Sequence, residues 1–99
     1  MSGLTPIELR LVEQYLSVLD YLSRCAQGID HGDWYYLADK AGALAFHAER
    51  LATLTGELQQ AIRQGRQRPR AAAVGAAVAH HGRHYPAARL LHPQPEGQR

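Results

Sequence analysis

The stretch WYYLADKAGALAFHAERLATLTGELQQAI, residues 34–62, decides the fold of this chain. Apolar and small residues recur in it at alternating spacings of three and four, and they form one seam: Trp34, Leu37, Ala41, Leu44, Ala48, Leu51, Thr55, Leu58 and Ile62. Such a repeat is typical of a helix that packs lengthwise on other helices. It predicts a long helix over residues 30–64. The large members of the seam form the predicted interaction surface: Trp34, Leu37, Leu44, Leu51, Leu58 and Ile62.

A shorter helix is predicted before it, over residues 5–27. Thr5 and Glu8 have the spacing of a capping box, and Pro6 occupies the first helical position. Gly28 is the predicted left-handed residue that ends this helix. Its apolar residues cover more than half of the helix circumference, which is wider than one neighbouring helix requires. We therefore expect this helix to pack against at least two partners.

The two helices are predicted to form an antiparallel hairpin. Asp30 is the predicted N-cap of the second helix, and Gly65 is its predicted end. The link Gly28–Ile29 is so short that the helices must run in opposite directions. Because the second helix is longer, its far end overhangs the hairpin, and a third helix or another chain is needed to cover it.

Residues 66–99 form a basic tail rich in Ala, Arg, His and Pro, distinct from the hairpin domain of residues 1–65. Gly65 and Pro69 mark a linker between the two parts. Alanine favours a third helix over about residues 70–81, although the segment lacks large apolar residues and should pack weakly. Residues 93–99 are predicted to be disordered. The predicted fold class is all-α.

The distribution of apolar residues suggests self-association. The chain has 99 residues, but its large apolar side chains lie mainly before position 63. The effective core is that of a domain of about sixty residues, a size at which burial alone gives marginal stability. We therefore expect further burial in a homodimeric four-helix bundle or against a helical protein partner.

Charge is divided unevenly along the chain. Residues 1–62 carry four Lys or Arg and eight Asp or Glu, whereas residues 63–99 carry seven Arg and one Glu. The arginines Arg63, Arg66, Arg68 and Arg70 are candidate phosphate contacts, so nucleic acid is a possible partner of the tail. The alternative is a solvated tail whose arginines reflect composition only. No nucleic-acid-binding motif accompanies them, so any binding should be electrostatic and weakly sequence-specific.

No set of residues in the sequence indicates an enzyme, a cofactor or a metal site, and no family signature is identified. His80, His81 and His84 lie close together but lack a neighbouring carboxylate or cysteine. His47 has no nucleophile or oxyanion donor that the sequence can identify. Helix capping accounts for the acidic residues around position 30 without any chemistry. The chain is therefore predicted to be non-enzymatic.

The sequence also allows a prediction of the cellular location of the protein. Cys25 is the only cysteine, so no intramolecular disulfide forms. The first residues lack the pattern of a secretory signal, and the longest uncharged apolar run is too short to span a bilayer. A cytoplasmic protein without a membrane segment is expected. The function predicted from these observations is a small, self-associating helical interaction module, with an accessory nucleic-acid-binding protein as the alternative.

Overall fold

A computed structural model describes residues 3–92 of the chain, and they form an all-α structure. Its four helices are α1 (Pro6–His31), α2 (Trp34–Arg63), α3 (Ala71–Gly82) and α4 (Pro86–Leu91). No strand occurs between residues 3 and 92. The predicted all-α class and the pairing of two long helices are thereby confirmed. The predicted disordered end, residues 93–99, lies outside the described residues.

Helix α1 begins as predicted and ends later than predicted. The Thr5 hydroxyl accepts a hydrogen bond from the Glu8 backbone N–H, and the Glu8 carboxylate accepts one from the Thr5 N–H at 2.9 Å, which is a complete capping box. The prediction that Gly28 ends the helix is wrong. Gly28 lies inside α1, and Gly32, with φ of 64°, is the left-handed residue.

The reason for this error is a close contact between the two long helices. A Cβ atom on Gly28 would stand 3.1 Å from the Leu37 Cβ, so glycine here lets the backbones approach rather than turn. The predicted N-cap, Asp30, is wrong for the same reason, because α1 continues through it. Asp33 caps α2 instead, and its carboxylate accepts a hydrogen bond from the Tyr36 N–H at 3.0 Å.

Helix α1 occupies the middle of the molecule. Helix α2 packs along one side of it, and α3 and α4 pack on the other; among the described helices, α2 contacts α1 alone. Packing partners on two sides explain why apolar residues cover more than half of the circumference of α1. The prediction that a third helix covers the far end of α2 is wrong, because α3 packs on α1 instead. The described residues measure 48 × 36 × 18 Å, so they form a slab whose thickness exceeds one helix diameter of about 10–12 Å.

Specific contacts dock the segment after α2 onto α1. Gly82 at the end of α3 lies so close to α4 that an added Cβ would stand 2.9 Å from the Ala88 Cβ. The Ser23 hydroxyl of α1 accepts a hydrogen bond from the Ala87 N–H at 3.3 Å, at the start of α4. The Tyr15 hydroxyl and the His92 Nε2 lie 2.6 Å apart. Residues 70–92 therefore belong to the same packed structure as the hairpin.

A buried ion pair fixes the linker between α2 and α3. Glu8 is only 1% exposed, and Arg70 donates hydrogen bonds to both of its carboxylate oxygens. The Gln67 side-chain amide donates a further bond to the Glu8 Oε2 at 2.8 Å. The hydrogen bond and charge of Arg70 foremost, and the hydrogen bonds with Thr5, lower the pKa of Glu8 from 4.5 to about 2. The charged carboxylate is thus favoured in the folded state despite its burial.

The lowered pKa of Glu8 predicts a pH-dependent loss of stability. Because the folded-state pKa is depressed, the stabilisation is present above about pH 4.5 and is lost as the pH falls towards 2. Urea unfolding at several pH values should show that Glu8→Gln lowers the free energy of unfolding by about 2 kcal/mol at neutral pH. The difference from the wild type should shrink below pH 4. A difference that is independent of pH would contradict this account.

Two glycines of α3 give a second prediction. Gly75→Ala meets no atom within 4 Å and should raise the free energy of unfolding by up to about 1 kcal/mol through helix propensity. Gly82→Ala must displace Ala88 and should lower it by about 1–3 kcal/mol. Urea unfolding of both variants checks this. Equal effects would mean that α3 and α4 do not pack as described.

Candidate functional site

One broad side of the α1–α2 pair is polar. The Arg10 guanidinium lies 3.9 Å from the Glu57 carboxylate, and the Gln14 Nε2 lies 2.5 Å from the His47 Nδ1. The Gln14 Oε1 accepts a hydrogen bond from the Arg50 Nε at 3.2 Å. These side chains bridge the two helices on the same side of their contact line. We call this side the polar face and define it by these five residues together with Phe46, whose ring lies beside His47 and Arg50.

His47 and Phe46 belong to the polar face. The His47 ring stacks on Tyr21 with ring centroids 5.1 Å apart, and the Arg50 guanidinium lies 5.7 Å from the centre of the Phe46 ring. His47 is therefore engaged by Gln14 and Tyr21, and within residues 3–92 its ring makes no hydrogen bond to a serine, threonine or cysteine. Phe46 is 57% exposed and is an isolated large apolar residue among polar side chains.

The opposite side of the same pair is apolar. Leu44 and Leu51 of α2 are half-buried and fall nearly in line, because they are seven residues apart. Leu51 is rotated by about 100° from its neighbour Arg50 around the helix axis, which places this row on the other side of the contact line. Leu11 and Val18 of α1 occupy the matching positions and are also half-buried. We call this side the apolar face and define it by these residues: Leu11, Val18, Leu22, Ile29, Trp34, Leu37, Ala41, Leu44, Ala48, Leu51 and Thr55.

The predicted seam lies where α2 meets α1 and opens onto the apolar face. Its large residues after Trp34 are half-buried by α1: Leu37, Leu44, Leu51, Leu58 and Ile62. Its small residues Ala41, Ala48 and Thr55 are exposed, and Trp34 is 64% exposed. Helix α1 therefore covers one flank of the seam and leaves the other uncovered within the described part of the chain.

A groove between α1 and α4 extends the apolar surface. It has a volume of about 510 Å³, and its walls include Leu22 and Ile29 of α1 and Leu90 and Leu91 of α4. All four side chains are exposed, Leu90 to 83%. The sequence did not predict this groove, because nothing in the pattern shows where α4 docks. The wide stripe of α1 was the only signal for it.

The predicted phosphate contacts have different surroundings. Arg63 and Arg68 are exposed, and the guanidinium group of neither makes a hydrogen bond or an ion pair with another residue between 3 and 92. Arg66 is exposed, and its Nε donates to the Gln64 side chain at 2.8 Å. Arg70 is engaged with Glu8, and its Nη2 also donates to the Gly3 carbonyl at 2.7 Å. Phosphate binding by the exposed arginines stays a prediction, whereas Arg70 has a structural partner.

The tail histidines do not assemble with other ligands in the described part of the chain. The rings of His80 and His81 are 5.0 Å apart, and His92 contacts Tyr15 instead. Within residues 3–92, no three side chains of the His, Cys, Asp or Glu type come together as a metal site. None of the described helices is both long enough and apolar enough to cross a bilayer.

No known family, curated protein or solved structure matches this chain. Its candidate functional surfaces are therefore inferred from the geometry of its described residues. Two features stand out: the apolar face with its extension along α4, and the exposed arginines at the far end of α2.

The two roles of the linker arginines can be separated by mutation. Arg70→Gln should lower the urea midpoint, because Glu8 would be left buried without its cation. Arg68→Gln removes the same charge from an exposed, unpaired position and should leave the midpoint unchanged. Equal loss in both variants would show that net charge, rather than the Glu8–Arg70 pair, sets the stability.

Proposed function

We propose that this protein is a small non-enzymatic helical interaction module that self-associates through its apolar face. The observation that carries the proposal is the asymmetry of the slab. One broad face presents Ile29, Trp34 and an aliphatic row, while the other is bridged by polar and charged side chains. Contiguous exposed apolar surface on a soluble protein usually marks an interaction site.

The broad side of the molecule that carries the apolar face is large enough to accommodate a dimer interface. The broad side of the slab measures 48 × 36 Å, and a standard interface buries about 800 Å² on each partner. Covering about half of this side would therefore bury the area that a standard interface needs on each partner. Few large side chains are fully buried in the single chain, and among residues 3–92 Leu19 and Val12 are the largest apolar ones. Burial of the apolar face in a dimer would add to this small core.

The residue pattern favours a second helical hairpin as the occupant. Leu44 and Leu51 are half-buried knobs, and the exposed Ala41 and Ala48 between them leave room for side chains of a facing helix. Two hairpins packed face to face around a two-fold axis bury the same residues in both copies, as an isologous interface requires. The result would be a four-helix bundle built from two α1–α2 pairs.

Self-association is tested by the molar mass in solution at tens of micromolar. The wild type should have twice the 11.0 kDa mass of one chain by light scattering coupled to size-exclusion chromatography. Ile29→Glu and Ala48→Glu should each shift the mass to that of one chain, because each buries a charge in the interface. Both positions are exposed in the single chain, so the fold should persist.

Phe46→Glu is the matched control. Phe46 is 57% exposed and Ile29 is 58% exposed, but Phe46 lies on the polar face. This variant should keep the mass of the wild type. A monomeric wild type would contradict self-association, and a monomeric Phe46→Glu variant would place the interface on the other face.

A further inference from the structure

A groove of about 760 Å³, lined by apolar residues such as Ile7 and by charged and amide side chains, lies at the end of the hairpin away from the α1–α2 turn. Its walls come from three elements: the start of α1, the far end of α2, and the linker after α2. Arg10 and Glu57 line it, so it belongs to the polar side of the molecule. It is thus separate from the apolar face to which self-association is assigned.

The linker wall of this groove is held in place by the structure itself. The Gln67 side chain accepts a hydrogen bond from the Thr5 hydroxyl at 3.0 Å and donates one to Glu8 at 2.8 Å. The Arg66 backbone N–H donates to the Ala61 carbonyl at 2.9 Å. The backbone of Arg66 is therefore fixed at the groove edge, while only the Nε of its guanidinium is used, by Gln64.

The free polar groups of the groove are mostly positive or neutral donors. Arg10 and Arg66 supply two guanidinium groups, and Gln60 supplies an amide without a partner among residues 3–92. Among residues 3–92, Glu57 is the acidic side chain that lines the groove. Its contact with Arg10 spans 3.9 Å between side chains that are more than half exposed, so it is weak and easily exchanged.

We propose that this groove binds the phosphate groups of an anionic ligand, with Arg10 and Arg66 as the cationic contacts. A guanidinium presents two parallel N–H groups that match two phosphate oxygens, and Arg10 and Arg66 come from different elements that line the same groove. Arg63 and Arg68, which flank Arg66 in sequence and are exposed, provide contacts for neighbouring phosphates of a strand. A nucleic-acid backbone is therefore the source that fits the surroundings of the groove.

Fluorescence anisotropy of a labelled oligothymidine with the full-length protein tests this site. Arg10→Gln and Arg66→Gln should each weaken binding by about three- to tenfold. Each should also reduce the slope of log affinity against log salt by about 0.7, the value for one phosphate contact with a single strand. Glu57→Gln should strengthen binding, because it removes the negative charge from the groove.

Arg89→Gln is the control for net charge. Arg89 is exposed on α4, which packs on the other side of α1, so its loss should leave the affinity nearly unchanged. An equal loss of affinity in Arg89→Gln and Arg66→Gln would overturn the groove as a site. So would the absence of binding at low salt, or an unchanged affinity in Glu57→Gln.

Inorganic phosphate distinguishes the two sources of the ligand. At matched ionic strength, sodium phosphate should displace the oligothymidine no better than sodium chloride if the groove takes a strand. Stronger displacement by phosphate would assign the same groove to a free phosphate. Circular dichroism of each variant confirms that the helices are retained. None of these outcomes depends on whether the chain self-associates, because Ile29→Glu can be titrated in the same assay.

Discussion

The arrangement depends on one constraint: α1 carries more apolar surface than one neighbouring helix can cover. Helix α2 covers one side of it, and α3 with α4 covers another, which places α1 in the middle. Within residues 3–92, α2 contacts α1 alone, so no further helix covers the exposed flank of its aliphatic row. The same constraint that organises the chain thus leaves an apolar face, and the proposed self-association follows from it.

The buried Glu8–Arg70 pair connects this core to the basic end of the chain. Glu8 serves three purposes, since it completes the cap of α1, fixes the linker and neutralises Arg70. Burial of a charged pair is costly, but here every carboxylate oxygen has a donor, so the pair specifies one position for the linker. That position places Arg66 in the wall of the groove that Arg10 also lines, so a basic residue of the C-terminal part lies near the acidic hairpin.

The hairpin could be predicted from sequence because its signals are local. The capping box of Thr5 and Glu8 and the seam of α2 depend only on neighbouring residues. The turn was misplaced because Gly28 and Gly32 look alike in sequence, and only the approach of Leu37 shows which one bends the chain. The role of Arg70 was also beyond the sequence, because its partner Glu8 is 62 residues away. The same holds for the groove beside α4, whose walls come from distant segments.

The dependence of folding stability on protein concentration tests the central claim most directly. If the apolar face is buried against a second copy, unfolding is coupled to dissociation, and the urea midpoint must rise with protein concentration. Circular dichroism at 222 nm and the fluorescence of Trp34, the only tryptophan, would follow the same transition. We expect the midpoint to increase steadily from micromolar to millimolar protein. A midpoint that stays constant over this range would show that the single chain is the folding unit and would contradict the account.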